Sequence, residues 1–420
     1  MAEAAEAVAL GTGTGVPAFR LSRGGTVLFA VACGTAVANV YFAQPLLVTL
    51  GRDFSIGTAT VGAVVTLTQI GYGLGLFLLV PLGDMLDRRR LVVAQLLLLA
   101  AALTAVGTAS SATLLLGGLA AVGLLAVVTQ TLVAFAASLA PPEERGRVVG
   151  LVTSGVVTGI LLARTVSGLL ADLAGWRAVY LSSAVLTCAI ALALHRLLPS
   201  RTSTSTSTST STSTTSTART YGQLLRSTVT LFARERLLRV RALLALLVFA
   251  AFSTLWSSVA LPLSAPPLSL SHTAIGAFGL AGAAGALAAT AAGRLNDQGF
   301  SQRTTGIGLA LLTASWLPLA LTRHSLWALA AGVILLDLAV QAVHVTNQTL
   351  IYALHPEAGS RLIGGYMVFY SIGSASGAVA ATALYAAAGW TAVCALGAGV
   401  SLLALLLWAA TRRGATPSPR

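Results

Sequence analysis

The sequence predicts an all-α polytopic membrane protein whose twelve transmembrane helices form two pseudo-symmetric six-helix bundles. Three observations predict it: a charge-poor composition, apolar runs of membrane-crossing length, and arginines confined to alternate loops. Of 420 residues, 56% are hydrophobic and 9% charged, and the mean hydropathy is +0.86; a soluble globular chain carries roughly a quarter of its residues charged. About 20 residues cross ~30 Å of hydrocarbon as a helix. The runs stay apolar for whole turns, where the strands of a membrane barrel would alternate at every second residue.

Taken in order, span 1 (26–50) places Asn39, Tyr41 and Gln44 before Pro45, a residue that frees a backbone carbonyl and lets a helix bend. Span 2 (59–81) carries Gln69 and Tyr72 beside the small pair Gly71 and Gly75, span 3 (91–109) is apolar, and span 4 (113–139) holds Gln130. Span 5 (148–170) holds Arg164, with Gly155 and Gly159 on its opposite side, where a neighbouring helix can approach closely. Span 6 (176–197) ends the first bundle, residues 26–198. A linker (199–239) follows, containing a Ser/Thr tract, 202–217, that cannot bury enough apolar area to offset its ordering entropy. Leu224, Leu225, Leu231, Phe232, Leu237 and Leu238 recur among arginines between Tyr221 and Arg241, a pattern suited to a helix lying on an anionic leaflet.

The second bundle, 240–410, begins with span 7 (240–263), where Trp256 precedes Pro262. Spans 8 (274–293) and 9 (304–322) are apolar. Span 10 (326–353) carries a polar stripe of Asp337, Gln341, His344 and Gln348, all within an arc of roughly 60° at about 100° per residue, with Asn347 at its edge. Span 11 (362–387) has the small pair Gly373 and Gly377, and span 12 (390–410) closes the bundle. Short tails, 1–25 and 411–420, flank the whole.

All 25 basic residues are arginine, and the formal charge is +13. Their placement argues against a nucleic-acid surface: they gather before span 1, after spans 2, 4, 6, 8, 10 and 12, and only Arg52, Arg177 and Arg323 fall in the alternate loops. The positive-inside rule therefore predicts both termini in the cytoplasm of a cell-membrane or inner-membrane protein. Residues 1–19 include Glu3 and Glu6 and no apolar core, unlike a secretory signal. Cys33, Cys188 and Cys394 each stand alone in an apolar span, so neither a disulfide frame nor a metal site is expected.

The halves repeat each other. Gly83 and Asp87 after span 2 are matched by Gly293 and Asp297 after span 8; Pro142, Glu143, Arg147 and Gly150 by Pro356, Glu357, Arg361 and Gly364; and Gly175-Trp176 by Gly389-Trp390.

That arrangement resembles the major facilitator superfamily. The stretch Gly83 to Leu91, GDMLDRRRL, is similar to its signature loop between the second and third helices, with Gly83, Asp87, Arg88 and Arg90 in register and one usual glycine missing. NVYFAQPLL, TQIGYGLGLFLLVPLGD, GILLARTVSGLLADLAGWR and LLDLAVQAVHVTNQTLIYAL further resemble its twelve-helix drug and metabolite:proton antiporter branch. The chain departs from that branch at Ala163-Arg164-Thr165, where a glycine and proline motif is often found. The resemblance implies secondary transport of a small molecule, and it implies that Gly83, Asp87, Arg88, Arg90, Gly293 and Asp297 belong to a conformational gate.

Away from span ends, only Arg164 and Asp337 are fully ionisable. A charge at the bilayer centre costs on the order of 3 kcal/mol or more, so each is expected to face a polar cavity or a partner. Asp337 or His344 is the expected carrier of a coupling proton. Arg164 has two readings, a contact to the solute and a fixed countercharge for Asp337. Asn39, Tyr41, Gln44, Gln69, Tyr72, Gln130, Arg164, Trp256, Gln341, Asn347 and Gln348 form the expected cavity; aromatic and amide groups dominate, which favours a neutral or amphipathic solute. The expected activity is proton-driven export, with a facilitator or importer as the alternative and a sensor or enzyme further off. The expected partners are the solute, protons and the bilayer, with the protein acting as a monomer and without a cofactor, since no metal-ligand cluster, phosphate loop or activated nucleophile is present in the sequence.

Overall fold

In a computed structural model, which describes residues 22–84, 86–141, 144–198, 221–282, 288, 291–296, 298–354 and 359–412, every regular element is a helix. Several helices start where a side-chain oxygen takes up a backbone N–H that the first turn leaves unpaired. Ser22 accepts from Gly25 N–H (3.1 Å) at span 1, Asp87 from Arg90 N–H (2.8 Å) at span 3, and Ser111 from Leu114 N–H (3.3 Å) at span 4. Among the described residues, eight helices are long and apolar enough to cross a membrane. They include spans 5 (Arg145–Ala174), 6 (Trp176–Leu197) and 10 (Leu326–Leu354), and one long element, Gly359–Thr411, that supplies both spans 11 and 12.

Several spans are less regular than the sequence predicts. Span 1 is helical over Arg23–Ala38, turns through residues 39–43 and a 3₁₀ segment at Gln44–Leu46, then resumes at Leu47–Asp53. Pro45 lacks the N–H that a continuous helix would need. Span 7 (Arg236–Trp256) pauses at 257–259 before Ala260–Ser264, which contains Pro262, and span 9 pauses at Ser315 between Ser301–Ala314 and Trp316–Ala320, which contains Pro318. Span 8 passes from His272–Ala277 into the 3₁₀ segment Phe278–Gly282.

The predicted repeat reappears in the backbone. Gly175 (φ 81°) and Gly389 (φ 77°) both take the left-handed conformation that other residues avoid, and each starts the last helix of its bundle just before a tryptophan. Gly155 and Gly159 of span 5 lie against the backbone of Ala30 and Gly34 in span 1, as Gly373 and Gly377 of span 11 lie against Leu246 and Ala250 in span 7. A methyl group at any of the four would run into a main-chain carbonyl, so these helix pairs meet backbone to backbone.

Between the halves, the side-chain hydrogen bonds are one-sided. Thr66 donates to the Ala375 carbonyl (2.9 Å), Thr165 to the Gly276 carbonyl (3.0 Å), and Asp172 holds His272 and Thr273, all toward the arginine-poor end. Tyr41 and Tyr370 share a hydrogen bond (2.9 Å) near the middle. Toward the arginine-rich end Gly364 of span 11 still lies near the Leu76 carbonyl of span 2, while Leu151, Thr153, Ser154 and Thr158 of span 5 are exposed. The side-chain hydrogen bonds between the halves thus gather from the middle toward the arginine-poor end.

Past the 202–217 tract, which lies outside the described residues, the linker forms the helix Tyr221–Arg234. Protein takes up three of the side chains expected to face lipid: Leu238 is buried in a cluster with Leu362 and Tyr366, Leu231 and Phe232 pack against that cluster, and Phe232 stacks on Phe369 with centroids 5.9 Å apart.

Candidate functional site

Where the halves meet, the broken stretch of span 1 presents Tyr41 and Gln44, span 5 presents Arg164, span 7 presents Phe252 and Trp256, and span 10 presents Asp337. Arg164 is 3% exposed and Asp337 5%. The guanidinium of Arg164 lies over Trp256, 3.8 Å from the ring centroid, and within 5.0 Å of Tyr41 and 5.6 Å of Phe252. Its Nε–H donates to Gln44 Oε1 at 2.6 Å. Asp337 is held by the same indole, whose Nε1–H donates to Asp337 Oδ1 at 3.3 Å. Trp256 thus stands between a cation of the first half and a carboxylate of the second, engaging one by its face and the other by its edge. No nitrogen of Arg164 comes within 4.0 Å of a carboxylate oxygen among the described residues, so Arg164 and Asp337 face each other across Trp256 as opposite charges without a direct ion-pair contact.

Glycines let span 8 close over both charges. A methyl at Gly279 would stand 3.0 Å from Arg164 Cβ, and one at Gly282 would stand 2.9 Å from Asp337 Oδ2. In a 3₁₀ segment residues three apart share a face, so both glycines look the same way.

Further along the stripe, His344 Nδ1 bonds the Tyr366 hydroxyl (2.9 Å), Gln348 Nε2 approaches His344 Nε2 (3.2 Å), and the imidazole packs edge-on to Phe249 (5.1 Å). His344, Gln341 and Gln348 are half-buried. Tyr72 pairs with Gln130 and its ring stands against Tyr370 (6.4 Å), while Gln69 is buried.

Two expected cavity residues belong elsewhere. Asn39 donates to the Thr35 carbonyl (2.9 Å) and accepts from Ser183 (2.7 Å) inside the first bundle. Asn347 accepts from Arg241 (3.1 Å) and donates to Tyr366 (3.4 Å) inside the second. A short amide must be satisfied close to its own helix, and both find partners there.

In the signature loop Asp87 caps span 3, and Arg88 donates from Nε to the Gly83 carbonyl (3.0 Å); Arg90 is exposed. Asp87 therefore faces a helix N-terminus rather than an arginine side chain. Gly293 lies in the helical stretch 291–296, while Asp297, Pro142, Glu143, Pro356 and Glu357 lie outside the described residues.

The sequence pattern of the Major Facilitator Superfamily matches residues 27–298 and, again, 242–420. The chain belongs to the Major Facilitator Superfamily. Among superfamily relatives, it is 47% identical over 392 residues to the "Putative uncharacterized transporter YgaY" of Escherichia coli strain K12, covering 93% of this chain and 96% of that one. It is 32% identical over 387 residues to the "Probable transporter SCO4007" of Streptomyces coelicolor, covering 91% and 86%. Its fold is similar to that of a bacterial homolog of the human lysosomal transporter Spinster, solved in an inward-facing, unoccupied conformation, with a TM-score of 0.73 at 13% identity over 94% of this chain and 98% of that one. As a superfamily member this is a membrane transporter rather than an enzyme.

Sequence reasoning missed Phe249, Phe252 and Tyr370, aromatic residues with no mark to separate them from packing. It also missed Asp172 and His272, which were set aside as groups near span ends. Asp172 Oδ1 lies 2.6 Å from His272 Nδ1 and accepts from His272 N–H (3.2 Å); its Oδ2 accepts from Thr273 N–H (2.7 Å) and Oγ1–H (2.6 Å). His272 Nε2 reaches Thr49 Oγ1 at 2.7 Å. An acid after one apolar run and a histidine before another were the available signal.

Proposed function

We propose that the protein exports a small neutral or amphipathic solute across the cell (inner) membrane, driven by the proton gradient and acting as a monomer with both termini cytoplasmic. Asp337 or His344 carries the coupling proton. The solute occupies the region lined by Tyr41, Gln44, Arg164, Trp256, Tyr72, Gln69, Gln130, Gln341 and Gln348, and rocking of the halves exposes it to one side and then the other. Gly83, Asp87, Arg88 and Arg90, with Gly293 and Asp297, form the gate at the arginine-rich end.

The observation supporting this reading is Trp256 held between Arg164 and Asp337, buried charges from opposite halves. A change at either charge alters what the other half meets, which proton-coupled alternating access requires. The test is proton flux in proteoliposomes against a panel of candidate solutes, with Asp337→Asn and His344→Gln alongside the parent. Coupling should vanish in at least one variant while folded protein remains in the membrane; unchanged coupling in both would defeat the proposal.

A further inference from the structure

A buried arginine costs several kcal/mol of lost hydration unless other groups replace that water. Arg164 has been given little in exchange. Gln44 receives Nε–H, the three rings offer their faces, and the NH2 nitrogen is buried with no acceptor. The nearest candidate, Asp337, is turned to the indole N–H instead. The far edge of the guanidinium, formed by its two terminal nitrogens, is thus left without a protein acceptor.

That edge has the geometry of a carboxylate receptor: two parallel N–H donors in one plane, prepositioned because Gln44 fixes the Nε side and Trp256 fixes the plane. Asp337 offsets the charge from across Trp256 but bonds neither terminal nitrogen, so a solute without an anionic group would leave the buried NH2 unpaired, and an ammonium would be repelled by the guanidinium. The rings around Arg164 suit the apolar body of the same solute.

We propose, building on the transport reading above, that the solute is an amphipathic monoanion, an organic carboxylate or sulfonate with an apolar or aromatic body, and that its anionic group docks end-on against the terminal nitrogens of Arg164. Such a solute suits export in exchange for an entering proton, because both movements run down a potential that is negative inside. In a cell negative inside, an anion leaving gains about 2.3 kcal/mol per charge for each 100 mV.

The test uses the purified full-length chain in lipid nanodiscs and three probes sharing one body: 4-phenylbutyrate, its amide 4-phenylbutyramide and 4-phenylbutylamine, with binding measured calorimetrically. The anion should bind at least tenfold more tightly than the amide or the amine. Arg164→Gln should erase that preference, and Arg164→Lys should retain it at reduced affinity, since lysine keeps the charge without the fork. Gln44→Ala, which leaves the charge in place, should weaken anion binding without reversing the order, and serves if Arg164→Gln does not fold. Equal binding of the three, preference for the amine, no anion binding at millimolar concentration, or an anion preference that survives Arg164→Gln would each overturn the proposal. Proton-coupled flux of a neutral or cationic solute with no anion preference would sink this inference and leave the transport reading standing. Loss of coupling nowhere in the Asp337 and His344 variants, with anion preference intact, would do the reverse.

Discussion

Removing the carboxylate of Asp172 should open the arginine-poor end. Asp172 ends span 5, and it receives two backbone N–H groups and two side-chain contacts from the first residues of span 8, in the opposite half. It acts as a capping group supplied from outside the helix, reinforced by the favourable field of a helix start. Hydrogen bonds to a charged acceptor contribute about 1.5–3 kcal/mol each. These four are not additive, and Asp172 and His272 keep 26% and 30% of their side-chain surface exposed, so water replaces much of what is lost. A net change of about 2 kcal/mol for Asp172→Ala is therefore expected, roughly a 30-fold shift in the ratio of closed to open at that end. Asp172→Asn keeps one acceptor oxygen and should shift it less. Spin labels on Thr58→Cys and His324→Cys, exposed positions at that end in opposite halves, would report the distance in a background carrying Cys188→Ser. A longer-distance population should grow in Asp172→Ala and grow less in Asp172→Asn. An unchanged distance distribution in the alanine variant would refute the claim that this cluster holds the end shut.

Three other outcomes follow from the same geometry. Trp256→Phe keeps a ring under Arg164 and loses only the indole N–H, whereas Trp256→Ala loses both; solute affinity measured by calorimetry should fall at least tenfold more in the alanine variant, and equal losses would remove the ring from the account. Gly159→Val places side-chain atoms against the backbone of Gly34, while Gly150 has open space around it, so Gly159→Val should fail to yield monodisperse protein by size exclusion and Gly150→Val should behave as the parent does. Gly389→Ala meets no neighbouring atom but forces a side chain onto a φ of 77°, costing about 1–2 kcal/mol and lowering the thermal midpoint by a few degrees in a fluorescence melt.

The architecture was legible because hydrocarbon imposes it. Each span must satisfy its own backbone, so apolar length alone marks a helix, and the repeated Gly-Trp pairs marked the two halves before their matching φ angles were visible. Where spans break was legible only in part. Pro45 announced a bend, but nothing distinguished it from the prolines that merely end a helix, and the 3₁₀ form of Phe278–Gly282 left no mark in composition. Arg164 and Asp337 stood out because charge is scarce in such a chain. Their separation by Trp256 was hidden, since it depends on which helices of opposite halves become neighbours. The two asparagines show the converse error: a polar residue in a span must meet something polar, yet sequence cannot say whether that is a cavity or the hydroxyl of the next helix.

The Asp172–His272 cluster and the charged site lie along one seam. Arg164 and Asp172 are eight residues apart on span 5, about 12 Å of helix rise, and they face His272, Gly276, Gly279 and Gly282 in sequence on span 8. Because these glycines carry no side chains, span 8 touches the backbone of Gly168 and Arg164 directly, and Gly282 lies against the Asp337 carboxylate. Packing of that kind leaves no slack to absorb a shift. When the His272 end leaves Asp172, the wall over Arg164 and Asp337 must move with it, and a solute or proton that changes the balance at the site must push on the same helix. Coupling between the site and the Asp172–His272 cluster then needs no chain of intermediaries, only two positions of span 8 against span 5 and the different contacts each offers.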